Sequence, residues 1–558
     1  MPAALRSALP RKDAAIQRQA TTKATSADAE RLGVPLHIFA RRKPILAVLC
    51  VSLLGVMMAN GSLNLSLPAI ARGLGMGSLG LTWVVEIYSL LFAALLFTFA
   101  SVSDRYGRKK VMQLGLLLFA ASSLYAGLFA SKGIELVLAR AFMGIGGAMV
   151  MPTTLSVINV VFQPQERARA IAVWTAVAGV GMMLGFVVGG VLLDRLGWQS
   201  AFLLSGGVAA LTVIGNQFLV SESRDEAQTP VDWLGGALST AGLFALVYGL
   251  MEAPSRGLRD RWVLAALIAA CILLAGFVLS QRRSRHPMLD LRLFKNKAFS
   301  ASAFVVVLAF FALAGVLFAI SQLFMLVLGY GAFKAAMAII PIMVPMLVLA
   351  SVAPFVSARI GSRWTVCLGL LLVVAGFSLC SRWPTIPTLG EVYLGMMVIS
   401  GGVAFAMTPS TSLMMSAVPR SRSGMGSAMN DTTRELGGAL GIAVLGALLS
   451  SGYTGKMTST LAAAPEQIRL IAGRSLAGAL ALAPSLGALG GPFAFAAKEA
   501  WMDSLLSSML TAALICSVAA VAASVWMPHR ESWAVSEAAE ELRRVPSGDA
   551  VDAAPFQP

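Results

Sequence analysis

Apolar stretches of around 20 residues, separated by short polar segments, recur about fourteen times along the chain, and each is long enough to cross a bilayer as a helix. The expected spans are 44–70, 80–102, 109–130, 133–158, 168–193, 199–220, 231–252, 261–281, 299–327, 333–357, 364–382, 390–416, 424–450 and 502–526. This pattern predicts an all-α membrane protein. A polar, basic leader over 1–43 precedes the first run. It is too long for a signal peptide and lacks the small-residue cleavage pattern, so it is expected as a disordered cytoplasmic tail. A second cytoplasmic tail, 527–558, follows the last run.

The chain repeats itself. "VSDRYGRKKVMQLGLLL", Val102 to Leu118, returns as "VSARIGSRWTVCLGLLL", Val356 to Leu372, with Arg, Gly and the Leu-Gly-Leu-Leu-Leu tail in register. Six spans make up the first unit and six follow from the ninth onward. The simplest architecture is two related six-helix bundles, 44–220 and 299–526, with a two-helix insert over 231–281 between them. A site between such bundles faces either side of the membrane in turn. The segment 452–501 is too long for an ordinary loop and is placed outside the cell.

Composition narrows the reading. Of 558 residues, 57% are hydrophobic and 13% charged, where a soluble chain carries about 25% charge. The net charge of +16 falls in short islands between apolar runs with no interleaved aromatics, which suits membrane topology and not nucleic acid. With the leader cytoplasmic, roughly 29 of the 43 Lys and Arg lie in loops on its side and about 12 opposite, placing both termini inside. The five cysteines all lie in apolar runs without a CxxC pair, so neither a disulfide framework nor a metal site is expected. His37, His286 and His529 lie in polar loops or tails and form no nucleophile-base constellation. The chain is therefore not read as an enzyme, and no cofactor is expected beyond a proton gradient.

Charges inside the apolar runs carry the chemistry. Asp431, Arg434 and Glu435 are spaced i, i+3, i+4 and share one helix face. A lipid-facing position is too costly for them, so that face lines a cavity or another helix. Arg140 needs an acid or a carbonyl from a neighbouring helix for the same reason. Glu86 lies between Trp83 and Ser89, a carboxyl beside aromatic surface that suits a cation or proton. Asp104, Arg105, Gly107, Arg108 and Lys109 form a charged, glycine-hinged turn suited to a cytoplasmic latch. Gly181, Gly185 and Gly189 form a smooth stripe along which a second helix can approach. Trp83, Asn60, Asn430 and Trp174 are the cavity-lining candidates. Each feature also has a purely structural reading: an inert buried ion pair, an interhelical tie, an interfacial glutamate, a topology signal or static packing.

"NLSLPAIA", "ASVSDRYGRKK", "LARAFMGIGGAMVMPTT" and "AGVGMMLGFVVGG" resemble, in order, motifs of the major facilitator superfamily. "WVVEIYSL" and "NDTTRELGGALGIAVLG" resemble its drug:proton antiporters with fourteen spans, exporters of quaternary ammonium compounds and other cationic drugs. The resemblance covers nearly the whole chain. It implies the major facilitator fold and alternating access, and it sets Asn430, Asp431 and Glu435 where relatives carry acids for proton coupling or substrate binding. It also sets Arg140 near the proton pathway, and 452–501 as an external helical hairpin that caps the outward cavity or else a floppy insert. The chain departs from the family at Ala59, where the first helix usually has an aspartate, and at Phe186, where a proline is usual. Met143 and Met325 replace common glutamines, and Ala358 stands in the second loop copy where the first has Asp104. The expected function is proton-coupled efflux of lipophilic, cationic or amphipathic drugs by a monomer in a bacterial-type inner membrane. Its partners are the small-molecule substrate and the bilayer, with no nucleic acid. Export of an endogenous metabolite or natural product, and a non-transporting sensor or scaffold, are the alternatives.

Overall fold

The computed structural model of the protein describes residues 40–527 except 77, 225–229, 258, 420–421, 462–464 and 474; nearly all of the leader and the second tail lie outside the described residues. Among the described residues, 14 helices are long and apolar enough to cross a membrane, one for each expected span. The first six are α1 (Arg42–Leu74), α2 (Ser78–Tyr106), α3 (Arg108–Leu128), α4 (Gly133–Val161), α5 (Pro164–Leu196) and α6 (Gln199–Leu219). Next come α7 (Trp233–Arg256) and α8 (Arg261–Arg283), then α9 (Lys297–Gln322), α10 (Ala332–Ile360), α11 (Ser362–Cys380), α12 (Leu389–Ser416) and α13 (Ser423–Thr460). Two short helices, α14 (Glu466–Ala472) and α15 (Leu476–Leu482), precede the last long one, α16 (Gly490–Trp526).

Local chemistry sets many of the helix starts. Asp232, Asp260 and Asn296 each accept a backbone N–H of the first turn they precede, and Thr388 forms a capping box with Glu391. In the apolar interior, small residues decide how closely helices approach. A Cβ on Gly115 would meet the Gly146 carbonyl at 2.9 Å, and one on Gly369 would meet the Gly402 carbonyl at 2.6 Å, so α3 lies on α4 as α11 lies on α12. Gly115 and Gly369 are the same position of the repeated motif. The turns ahead of them also correspond, with Gly107 at φ 115° and Gly361 at φ 88°, a left-handed region that favours glycine.

The packing repeats likewise. α1 lies against α5 and α6, α2 against α4, and α3 against α6; α9 lies against α13 and α16, α10 against α12, and α11 against α16. The bundles meet through α2 and α4 on α13, and through α5 on α10 and α12. The insert is not a detached spacer. Its helix α7 packs against both α2 and α13, and so touches both bundles, with α8 on its outer side.

The largest departure from expectation lies in 452–501. α13 continues to Thr460 and α16 begins at Gly490, both reaching further than the expected spans. "SGYTGKMTST" is too polar to register as an apolar run. It stays helical because Tyr453 and Met457, one turn apart, are buried in the second bundle's core. The described residues between α13 and α16 form α14, α15 and a 3₁₀ turn, Ala483–Leu489. Ala472, Leu476 and Ala479 pack with Leu323, Phe324 and Val327 from a π-helical turn, Leu323–Val327, that ends α9. The Tyr453 hydroxyl donates to the Ala472 carbonyl at 2.8 Å, and Lys498 Nζ to the Val327 carbonyl at 2.8 Å. The segment is therefore a docked cap on the second bundle, at the end of α9 and α13 remote from Asp104.

Candidate functional site

Asp431 and Arg434 are buried, at 1% and 8% exposure, and Glu435 is partly buried. α13 carries them at the seam because its glycine face lies on α9 and the next face turns to the first bundle. Around Asp431 the contacts are sparse for a buried carboxylate. Its Oδ1 accepts from Asn430 Nδ2 at 3.2 Å and lies 3.7 Å from Arg434 Nη1, while Asp431 Oδ2 and Arg434 Nη1 have no hydrogen-bond partner among the described residues. Asn430 is itself held by Thr411 Oγ1, which donates to its Oδ1 at 2.9 Å. Burying an ion pair this loosely joined costs stability.

Instead of gripping the carboxylate, the Arg434 guanidinium lies over two rings, 5.4 Å from the centroid of Trp174 on α5 and 4.7 Å from that of Phe310 on α9. One ring comes from each bundle. Trp174 is fully buried and donates through Nε1 to Thr154 Oγ1 at 3.1 Å, which fixes the ring plane. A threonine likewise ties α12 to α13, through Thr411 and Asn430.

Arg140 finds the carbonyl expected for it. Its Nε donates to the Val84 carbonyl at 3.0 Å, one Nη to Asn60 Oδ1 at 3.4 Å, and its guanidinium lies 4.2 Å from the Tyr88 ring centroid. Glu435 lies within electrostatic range of Tyr88 from the other bundle. Asn60, next to Ala59, is thus the side chain of α1 that accepts from Arg140.

Glu86 and Trp83 lie elsewhere. Trp83, Leu90 and Ala93 form the face of α2 that meets Val247 and Tyr248 of the insert helix. Glu86 shares that face, and its charged neighbours are Glu252 and Arg256 of α7, which form their own ion pair. The structure therefore does not bring Glu86 to Asp431. Of the two methionines that replace common glutamines, Met325 is exposed on the π-helical turn and Met143 belongs to the first bundle's core.

The turn at Asp104 joins the bundles. Asp104 Oδ1 accepts from Arg108 at 2.7 and 3.0 Å and also from the backbone N–H of Gly424, in the first turn of α13, at 3.2 Å. A helix N-terminus attracts a carboxylate in this way. Ser156 and Ser423 add a second link at 2.6 Å. Lys109 Nζ reaches the Gln217 carbonyl, and Arg105 stays over the Tyr106 ring. Sequence reading missed Glu222, whose carboxylate accepts from the N–H groups of Lys109 and Lys110 and so caps α3. Its signal was an acidic "SESRDE" among basic loops. Asp104→Asn is expected to slow turnover several-fold with substrate affinity unchanged, because the contact lies at the end of the bundles and away from Asp431. Initial transport rates over a range of substrate concentrations check this, and altered affinity at full turnover contradicts it.

Gly181, Gly185 and Gly189 of α5 face α1. A Cβ at Gly185 would lie 2.5 Å from the Met58 carbonyl, and one at Gly189 2.7 Å from Ser62 Cβ. α5 remains helical through residue 186 without the usual proline. Gly437 and Gly441 of α13 form the counterpart stripe, so close to the Val307 and Phe311 carbonyls of α9 that neither leaves room for a Cβ. Sequence reading found only the first stripe.

The sequence profile described as Major Facilitator Superfamily matches residues 49–442. The chain belongs to the major facilitator superfamily. Members of this superfamily are transporters, not enzymes. The chain is 33% identical over 389 residues, 70% of its length and 72% of the relative's, to the multidrug resistance protein Stp of Mycobacterium tuberculosis. It is 32% identical to the multidrug efflux pump LfrA of Mycolicibacterium smegmatis over 85% of its own length and 94% of the pump's. Among solved structures, the crystal structure of the human organic anion transporter MFSD10 aligns with a TM-score of 0.54 at 15% identity, covering 85% of this chain and 99% of that one. That likeness concerns the fold alone. In this major facilitator protein, the buried charges of α13 lie where two related bundles meet.

Proposed function

We propose that the protein exports lipophilic, cationic or amphipathic drugs across a bacterial inner membrane in exchange for protons, as a monomer that alternates access between its two bundles. The observation that carries this reading is the loosely paired Asp431–Arg434 couple, buried between the bundles with a carboxylate oxygen and a guanidinium nitrogen left without hydrogen bonds among the described residues. Such groups are costly at this depth unless protons or substrate use them. The multidrug relatives support the substrate class.

The islands Arg105, Arg108, Lys109 and Lys110, and Arg282, Arg283, Arg285, Arg292, Lys295 and Lys297, support a cytoplasmic Asp104 end with both termini inside. The cap over α14 and α15 then faces outward. Asp104, bonded to the start of α13, keeps the cytoplasmic end shut in this arrangement.

Purified protein in proteoliposomes tests the reading. An imposed pH gradient should drive efflux of ethidium or tetraphenylphosphonium, and adding either cation to the protein in detergent should release protons. Cation movement indifferent to the pH gradient refutes proton coupling; movement of neutral amphiphiles alone refutes a cationic substrate. Reporter fusions after Lys110 that read the outside would refute the orientation.

A further inference from the structure

We infer that the rings of Trp174 and Phe310 are the binding site for the substrate cation, and that Arg434 occupies it as a built-in stand-in until substrate displaces the guanidinium toward Asp431 and Glu435. The inference rests on the drug-export reading and names the ligand site within it. The two rings approach the guanidinium from different bundles, Trp174 on α5 and Phe310 on α9. Aromatic faces around a cation, shielded from water, are how proteins recognise cations too bulky to hydrogen-bond. Trp174 is oriented for this by its bond to Thr154, and it is fully buried.

Arg434 has somewhere else to go. Its Nη1 makes no hydrogen bond, and Asp431 Oδ1 is 3.7 Å away, beyond hydrogen-bond length, with Asp431 Oδ2 also unpartnered. A rotamer change of one long side chain would turn this loose couple into a charge-assisted pair. Glu435 lies within electrostatic range of the same guanidinium.

The charges balance. With Arg434 on the rings, the Asp431–Glu435 pair holds one proton. When a monovalent cation takes the rings, Arg434 moves onto the carboxylates and the proton leaves to water, so one positive charge enters and one departs. Two cations cannot share the rings, which makes the exchange obligatory. In the return step a proton rejoins the pair, Arg434 returns to the rings, and the cation is expelled. The groups facing the pair are Arg434 and Asn430 on α13, Thr411 on α12, and Tyr88 on α2 with Arg140 of α4 behind it.

The test uses full-length protein in detergent with tetraphenylphosphonium as probe, reading equilibrium binding and protons released per cation bound. Arg434→Gln vacates the rings without removing an acid. It should tighten binding about tenfold or more, while proton release per bound cation falls to near zero. Arg434→Lys should preserve release. Trp174→Leu and Phe310→Ala should each weaken binding about tenfold and leave release per bound cation unchanged. A merely structural arginine predicts the reverse for Arg434→Gln, weaker binding with the proton ratio unchanged, and that result overturns the inference while leaving drug export intact. Unchanged affinity in both ring variants overturns it as well, and covers the case in which Arg434→Gln does not fold. Wild-type protein that neither binds the probe nor releases protons refutes the export reading itself, and the ligand site with it.

Discussion

Asp431→Asn combined with Glu435→Gln abolishes export driven by a pH gradient, with a fall of at least about 100-fold, the scale expected when a proton-transferring group is removed. Arg434 then faces two neutral amides and has no carboxylate to move to, so substrate binding no longer ejects a proton. Both substitutions keep size and shape, and Asn at 431 can still accept from Asn430, so the protein should fold, with Arg434 left on the rings and cation binding weakened. The measurement is counterflow against gradient-driven efflux in the same proteoliposomes. Uphill efflux should disappear, and exchange of labelled for unlabelled drug should fall with it, because Arg434 stays on the rings. Retention of uphill efflux by the double variant would mean that the protons travel elsewhere, with Glu86, Glu252 and Arg256 beside the insert the next group to examine.

A second large effect is expected from single methyl groups. Gly437→Ala and Gly441→Ala place a Cβ against the carbonyl oxygens of Val307 and Phe311, backbone atoms that cannot turn aside. α13 must move off α9, and overpacking of this sort costs about 1–3 kcal/mol per site. Because α13 also carries Asp431 and Arg434, the displacement should lower drug efflux together with thermal stability. The neighbouring Gly438 is the control. A Cβ there meets only Ala314 Cβ at 3.5 Å, an ordinary contact, so Gly438→Ala should be near neutral or slightly stabilising. Thermal unfolding of the three variants in one detergent decides it. Equal behaviour of all three would show that α13 does not depend on close approach to α9.

Membrane crossing, the number of spans, the duplicated loop motif and the buried triad of α13 were legible in the linear sequence. A bilayer imposes length and apolarity on each span, and it penalises every charge within a span, so these features are marked locally. The Asp104 turn was legible for the same reason, as charged residues and a glycine where a helix ends. What could not be read was which faces meet. Glu86 and Trp83 resemble site residues by composition, yet the insert helix α7 takes their face of α2 because it fills the groove between α2 and α13. Gly437 and Gly441 were part of an apolar run like any other until their contact with α9 showed them to be the counterpart of Gly181 and Gly185. The helical stretch at Tyr453 and Met457 was hidden because its polar residues face away from the bundle core. Arg434 on α13, Trp174 on α5 and Phe310 on α9 are far apart in sequence, and no local pattern links a cation to two rings on other helices. Residue type and spacing determined what could be buried; only the packing of helices distant in sequence decided which buried groups meet.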